Sequence, residues 1–209
     1  MIGMIKKDLF MIKNNLKLII FSIIIYLLYP IMFDMDMSFF LPFMSLIISI
    51  STFSYDDFSN WHSFASTLPQ GKVNVVKSKY ITTISLIVIT TIISVAFNYI
   101  MGGIKGTLNM EESLSSIMGE LLAIIFMMSV LFPILFKYGA EKGRIAMFTL
   151  GFGIVGLFIL LKKIVKIEIP KGLIAFLDSH FLIIFIIAII ILISISYVAS
   201  KKIYSKREF

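Results

Sequence analysis

The chain has 209 residues, of which 59% are hydrophobic, with a mean hydropathy of +1.01 and a formal net charge of +7. Soluble domains are about 45–50% apolar, so this chain cannot bury its apolar residues in one water-facing core, and we expect the bilayer to be its solvent. It contains no cysteine, which excludes disulfides and thiolate metal sites. Because basic residues also set membrane topology, the positive charge is better explained by the membrane than by nucleic-acid binding.

The N-terminal arm, residues 3–16, is predicted to form an amphipathic helix. Ile5, Leu9, Ile12 and Leu16 are spaced i, i+4, i+7 and i+11, and the lysines fall mainly on other faces. Such a helix would lie in the cytoplasmic headgroup plane and pack as an elbow beside the first span. The alternative is a simple basic arm that only sets the topology.

Six apolar runs follow, and each is close to the roughly 20 residues that a helix needs to cross about 30 Å of hydrocarbon. The sequence shows no internal repeat and no soluble domain. We therefore expect an all-α membrane protein with a single transmembrane domain over residues 1–209. The predicted spans lie near residues 16–33, 38–53, 80–101, 119–136, 145–161 and 181–199.

The basic residues are distributed unevenly between the predicted connections. The N-terminal arm, residues 55–79, residues 137–144 and the tail from 201 together carry 14 of the 19 Lys and Arg residues. This excess places both termini in the cytoplasm. The lysines at 162–171 are an exception, and we expect them on an interfacial or re-entrant segment.

Residues 55–79 form the longest polar interruption and contain the only tryptophan. Phe58, Trp61, Ala65 and Leu68 recur at i, i+3, i+7 and i+10, which predicts one apolar stripe on a helix of about three turns. This helix is interpreted either as lying on the membrane or as presented to a cytoplasmic partner.

The ends of this predicted helix carry recognisable signals. Asp56 and Asp57 are placed at its start, where carboxylates favour the helix dipole. Pro69 ends it and Gly71 supplies a turn. A second helical stretch is predicted to run from Lys72 into the third span.

Two connections resemble those of a known family. Asp57-x-x-x-Trp61, Thr67-Leu68-Pro69 and Lys79-Tyr80 are similar to the first cytoplasmic loop of small bacterial permeases of the type-II ABC exporter class. Residues 136–144 resemble the loop after the fourth span of that family. The small size is closest to permease subunits that export phenol-soluble-modulin-like peptides.

The resemblance implies a permease subunit in the bacterial plasma membrane that is not itself an enzyme. It implies a coupling helix that docks on a separate ABC ATPase, present in two copies and carrying the ATP and magnesium, with no cofactor or metal on this chain. A second permease subunit would complete a homodimer or heterodimer, and the cargo would be amphipathic peptides or hydrophobic compounds. The residues expected at the ATPase interface are Asp56, Asp57, Phe58, Trp61, His62, Ala65, Leu68, Pro69, Glu141, Lys142 and Arg144.

Nucleotide-binding motifs do not support ATP hydrolysis by this chain. Residues 151–156 match G-x-G-x-x-G, but they lie inside an apolar run, where the glycines favour close helix packing. No phosphate-binding loop of the G-x-x-x-x-G-K-[ST] type occurs in the sequence. The spans are also expected to hold almost no ionisable group, which argues against ion coupling and favours an ATPase partner.

Two other classes of protein are compatible with parts of the sequence. Glu111 and Glu112 resemble the paired glutamates of membrane-embedded CAAX-type proteases, but position 116 is serine where that family has arginine. His62 and His180 are predicted on opposite sides of the membrane, so they cannot share a catalytic or metal site. An intramembrane enzyme is therefore disfavoured, and a non-transporting immunity or assembly protein is the remaining alternative.

Overall fold

The computed structural model describes residues 1–14, 16–32, 40–105, 110–164 and 181–207. Every regular element within these ranges is helical, which confirms the predicted all-α class. Residues 34–37, between the first two predicted spans, and the connection at 165–180, including His180, lie outside the described residues. The helices are α1 (Ile2–Asn14), α2 (Leu16–Met32), α3 (Phe40–Phe58), α4 (Trp61–Thr67), α5 (Gly71–Lys105), α6 (Met110–Ile164) and α7 (Phe181–Ser205).

Three helical segments of the described chain are long and apolar enough to cross a membrane. They are Gly71–Ile104, Ser116–Gly153 and Leu182–Ser205. The bent pair Ile2–Asn14 and Ile19–Tyr26, with 63° between its two parts, would make a fourth if it counts as one span. Six spans remain a prediction from the sequence.

Several helices are longer than the apolar runs that predict them. The third run begins at residue 80, but α5 is helical from Gly71 without interruption. The fourth and fifth runs belong to one element, α6, which has non-helical backbone at Gly139. α3 continues past the predicted end at 53 as far as Phe58, because the polar residues that follow still pair with other helices.

Aromatic side chains fill the core where α3, α5, α6 and α7 meet. The ring centroid of Phe53 lies 5.0 Å from that of Phe136 and 5.5 Å from that of Phe132, both with edge-to-face geometry. Tyr80 lies 4.8 Å from Phe132, and Phe136 lies 5.2 Å from Tyr204. Aromatic pairs at these separations contribute beyond their buried area, so this cluster fixes the ends of α3 and α7 against α6.

Hydroxyl groups connect the same helices inside the bundle. The Tyr80 hydroxyl lies 2.6 Å from Ser196 Oγ and 2.9 Å from Ser200 Oγ, which joins α5 to α7. Thr83 Oγ1 donates to Ser49 Oγ at 2.9 Å, which joins α5 to α3. Small hydroxyl residues let helices approach closely while their polar atoms stay paired.

α1 packs against the bundle through one face. Its buried residues are Met4, Asp8 and Ile12. Of the predicted stripe, Ile12 is buried but Leu9 is 51% exposed. The inward face therefore includes a carboxylate, because Asp8 has ionic partners inside the fold, described below, and the amphipathic stripe toward the membrane stays a prediction.

A tight turn joins α4 to α5. Gln70 has a left-handed φ of 54°, and the amide of Gly71 donates to the carbonyl of Leu68 at 2.9 Å. A Cβ on Gly71 would come within 1.7 Å of the Ala65 carbonyl oxygen, so only glycine allows this approach. The turn holds the end of α4 directly on the start of α5.

Candidate functional site

The end of α3, α4, the break in α6 and the end of α7 meet at one end of the bundle, which we call the α4 end. α1 lies at the same end, where the amine of Lys7 contacts the carboxylate of Asp56. The amine of Lys72 donates to the carbonyls of Ser205, at 3.3 Å, and Arg207, at 2.7 Å. All four basic segments that the charge count groups on one side of the membrane are therefore found together at the α4 end.

The predicted coupling helix over residues 57–68 is interrupted at Asn60. Asn60 has φ 50° and ψ 31°, a left-handed conformation that asparagine tolerates better than most residues. α3 ends at Phe58 and α4 begins at Trp61, so the prediction of one continuous stripe was wrong. Asp56 and Asp57 lie in the last turn of α3 and not at a helix start. Carboxylates at a helix C-terminus oppose its dipole, so they require the partners described next.

Asp57 joins three other elements through a junction that it forms with His62, Ala140 and Tyr204. Asp57 Oδ2 accepts the backbone N–H of Ala140 at 2.8 Å, and Asp57 Oδ1 lies 3.1 Å from Nε2 of His62. His62 Nδ1 lies 2.6 Å from the hydroxyl of Tyr204. A neutral imidazole fits this geometry with Nε2–H donating to Asp57 and Nδ1 accepting from Tyr204. The Asp57 junction thus connects the end of α3 to α4, α6 and α7.

The break in α6 depends on Gly139. This residue has φ 83° and ψ 178°, a backbone region that is essentially restricted to glycine. The helix resumes at Ala140 with a free backbone N–H, and the carboxylate of Asp57 satisfies it as a capping side chain normally would. An acidic group at a helix N-terminus is also favoured by the dipole.

The charge of Asp57 is stabilised by this arrangement. Partial burial by itself raises the pKa of Asp57, but the hydrogen bonds from His62 and from the Ala140 amide outweigh it and hold the pKa below its ordinary value. The carboxylate is therefore ionised at neutral pH and is available as a permanent acceptor for the cap.

A cleft of about 900 Å³ opens beside the Asp57 junction. Both arginines of the chain line it: Arg144 Nη2 donates to Ser54 Oγ at 2.6 Å, and Arg207 Nη1 donates to the Phe136 carbonyl at 3.0 Å. The lining combines charged, hydroxyl and aromatic groups, which suits a protein or peptide surface better than a purely apolar ligand. Its residues are Ser51, Ser54, Tyr55, Asp57, Phe58, Tyr138, Gly139, Ala140, Glu141, Arg144 and Arg207.

Large apolar side chains project from the rim of this cleft and from α4. Phe58 is 90% exposed, Phe64 is 56% exposed and Leu68 is 37% exposed. We call these three residues the α4 surface. Phe64 was missed by the sequence analysis because it falls outside the predicted stripe, and the break at Asn60 changes which residues of α4 face outward.

The predicted interface residues separate into two groups. Asp56, His62 and Ala65 are buried within the chain, and Trp61 is half-buried, so these four support the surface from behind. The Nζ of Lys7 lies 4.4 Å from the centre of the Trp61 ring, a cation–π distance. Asp57 is partly exposed at the junction. The remaining predicted residues, Phe58, Leu68, Pro69, Glu141, Lys142 and Arg144, are exposed.

Behind the α4 surface lies a buried ion network formed by Lys7, Asp8, Asp56 and Lys79. Lys79 is 1% exposed, and Asp8 and Asp56 are 0% exposed. Lys79 Nζ lies 2.9 Å from Asp8 Oδ1 and 2.8 Å from Asp56 Oδ2, and Lys7 Nζ lies 3.2 Å from Asp8 Oδ1. Lys79 also donates to Thr52 Oγ1 at 2.9 Å. Lys79 belongs to the candidate membrane helix Gly71–Ile104 but lies one residue before the predicted span 80–101, so the expectation that the spans hold almost no ionisable group stays a prediction.

The α4 end combines paired ionisable groups with exposed aromatic side chains. No group of three or more His, Cys, Asp or Glu residues suited to a metal ion occurs in the described part of the chain. His62 is committed to Asp57 and Tyr204, and Lys79 is enclosed by carboxylates. What the site offers to a partner is exposed aromatic surface beside a polar cleft.

Comparison with known proteins identifies the family. A family model described as ABC-2 family transporter protein matches residues 3–205. Searches of curated proteins and of solved structures gave no match. The matched range covers nearly the whole chain, including the Asp57 junction, the α4 surface and all the described candidate spans; the chain belongs to the ABC-2 family of transporter proteins.

Proposed function

We propose that this chain is the permease subunit of an ATP-driven exporter and that its α4 surface is the contact for a separate ATPase subunit. The observation that carries the proposal is the exposure of Phe58, 90%, on the rim of a polar cleft. Membership of a transporter family supplies the membrane function, and the sequence has no phosphate-binding loop of its own.

Phe58 does not have the surroundings of a lipid-facing side chain. It follows Asp57 and precedes Ser59 and Asn60, and it shares the cleft with Glu141 and Arg144. An exposed apolar group with a polar rim is typical of a protein–protein contact. Phe64 and Leu68 extend the same apolar surface, so a partner with a hydrophobic groove would bury all three.

The Asp57 junction gives this contact a route into the membrane helices. A push on α4 would act on α5 through the tight turn at Gly71, and on α6 and α7 through Asp57, His62 and Tyr204. Because these connections are hydrogen bonds and packed rings, a displacement of α4 would act on α5, α6 and α7 at the same time. In this mechanism ATP-driven closure of two ATPases would move the helices that surround a path between two permeases.

The same proposal extends to the location and the cargo. The basic residues at the α4 end support a cytoplasmic location for that end in a bacterial cell, with both termini on the same side. Outward faces of α5 and α7 are strongly apolar, including Ile92 and Ile195, and these faces suit lipid or a second permease. Amphipathic peptides or hydrophobic compounds are the cargo class that such a subunit would handle, in a homodimer or a heterodimer.

The decisive experiment removes the aromatic groups of the α4 surface. The double variant Phe58→Ala/Phe64→Ala should bind the ATPase about 30-fold more weakly, because anchor residues at interfaces contribute about 2 kcal/mol or more. The matched control is Phe148→Ala/Phe152→Ala on α6, where the rings are 59% and 77% exposed but lie away from the cleft. The affinity would be measured between the detergent-solubilised permease and a purified ABC ATPase from the same organism.

Two comparisons make the result interpretable. Thermal unfolding of both double variants should match that of the unmodified chain, since all four rings are exposed. Equal ATPase affinity for the two double variants would contradict the proposal, as would loss of affinity in the α6 control alone.

A further inference from the structure

The ion network buries more charged side chains than the packing of α1, α3 and α5 requires. The formal charges of its two lysines and two aspartates sum to zero, and three of the four side chains are almost completely removed from solvent. Apolar residues of similar volume often pack with equal or greater stability than a buried ion set. What ions add is specificity, because a buried charge is tolerated only in the one arrangement that pairs it.

The network fixes one particular position of α1. Asp8 is the only carboxylate on α1, and its Oδ1 lies between the amines of Lys7 and Lys79. Lys79 extends from α5 and also contacts Asp56 at the end of α3. A shift of α1 by one helical turn would separate Asp8 from Lys79 and Lys7 from Asp56, so the network holds α1 in register with α3 and α5.

The ion network also contacts residues that lie directly behind the α4 surface. Asp56 immediately precedes Asp57, which makes the junction with α4, α6 and α7. The amine of Lys7 lies over the ring of Trp61, the first residue of α4. The N-terminal helix is thereby connected to the α4 surface from behind, by side-chain contacts within the chain.

We infer that Lys79 and Asp8 are positioning residues that make α1 a moving part of the coupling unit, so that α1, the end of α3 and the start of α5 are displaced together when the ATPase acts. This inference rests on the proposed function. It goes beyond it by assigning the N-terminal helix a mechanical role in place of a passive place on the membrane.

Spin-label distances test the rigid connection directly, because the chain has no native cysteine to label by accident. Labels at Lys6→Cys on α1 and Lys77→Cys on α5 occupy exposed positions. In the unmodified background we expect one narrow distance distribution, and we expect it unchanged in the ATPase complex with and without a non-hydrolysable ATP analogue. A second distance appearing with nucleotide in the complex would overturn the inference without any variant of the network.

The charge-balanced double variant Asp8→Asn/Lys79→Gln then removes the connection while leaving the Lys7–Asp56 pair. We expect the Lys6–Lys77 distribution to broaden, ATPase affinity to stay within about twofold, and transport per ATP hydrolysed to fall about tenfold or more. Lys13→Gln, an exposed change on α1, is the control and should alter none of these. A narrow distribution with unchanged transport per ATP in the double variant would refute the positioning role.

The design separates this inference from the proposed function. Failure of the ATPase to bind the unmodified permease would count against the proposed function, and the distance distributions of the free permease would still decide whether the network holds α1. Normal ATPase binding with distances that do not depend on Asp8 and Lys79 would count against the inference alone.

Discussion

Lys79→Met is expected to destabilise the chain by about 3–5 kcal/mol, the cost of leaving a buried ion without its partner. Lys79 is 1% exposed and contacts both Asp8 and Asp56, so its loss leaves two buried carboxylates with a single cation, Lys7, among the described residues. Methionine fills similar volume, so the loss comes from charge and not from a cavity. The midpoint of denaturant unfolding in detergent micelles would measure it.

The control and the compensating change make this prediction specific. Lys77→Met lies two residues away on the same helix but is exposed, so we expect little effect on the free energy of unfolding. Adding Asp8→Asn to Lys79→Met restores charge balance and should recover part of the loss. Equal stability of Lys77→Met and Lys79→Met would show that the network does not hold the fold.

Gly139→Ala is expected to cost about 1–3 kcal/mol, because its φ of 83° with ψ of 178° is a conformation that side chains rarely adopt. The added Cβ would also lie 3.0 Å from Asp57 Oδ2, tighter than normal packing. Either relaxation, of the backbone or of Asp57, disturbs the cap on Ala140. We therefore expect both a lower unfolding midpoint and weaker coupling of ATP hydrolysis to transport.

Gly153→Ala provides the comparison within the same helix. Its backbone is helical, and a Cβ there would meet no atom within 4 Å. Alanine at such a position is neutral or slightly stabilising, because it restricts the unfolded chain. If Gly139→Ala were as stable and as well coupled as Gly153→Ala, the break in α6 would have no role in transmitting motion.

The sequence predicts the all-helical class because its apolar runs are long and strongly hydrophobic. It also predicts that residues 55–79 contain helix, and that the turn near Gly71 leads into the next one. It does not predict the break at Asn60, since periodicity treats Asn60 as one polar position in an amphipathic helix. That single left-handed residue moves Trp61 and Ala65 inward and brings Phe64 to the surface.

The ion network lay beyond sequence reasoning for a different reason. Asp8 is separated from Asp56 and Lys79 by long stretches of chain, and charges on a helix usually mark a solvated face. One signal was present: Met4, Asp8 and Ile12 follow helical spacing, which places an acid within an apolar face of a basic arm. An acid in that position predicts a buried cation from another helix, although the sequence does not say which one.

The Gly139 break shows the same limit at a connection. Residues 136–144 read as a loop between two spans because they carry Lys137, Lys142 and Arg144. In the structure the chain is helical on both sides, and one glycine with a distant carboxylate replaces the loop. Capping by a residue 83 positions away leaves no local pattern.

Cross-linking from position 58 to the ATPase tests the central claim most directly. Phe58→Cys, modified with a thiol-reactive benzophenone, would carry the only thiol adduct on this chain. We predict that light links it to the ATPase subunit in the assembled complex, while the same probe at Phe152→Cys labels lipid or another permease. Equal labelling of the ATPase from both positions, or labelling from position 152 alone, would contradict the assignment of the α4 surface as the ATPase contact.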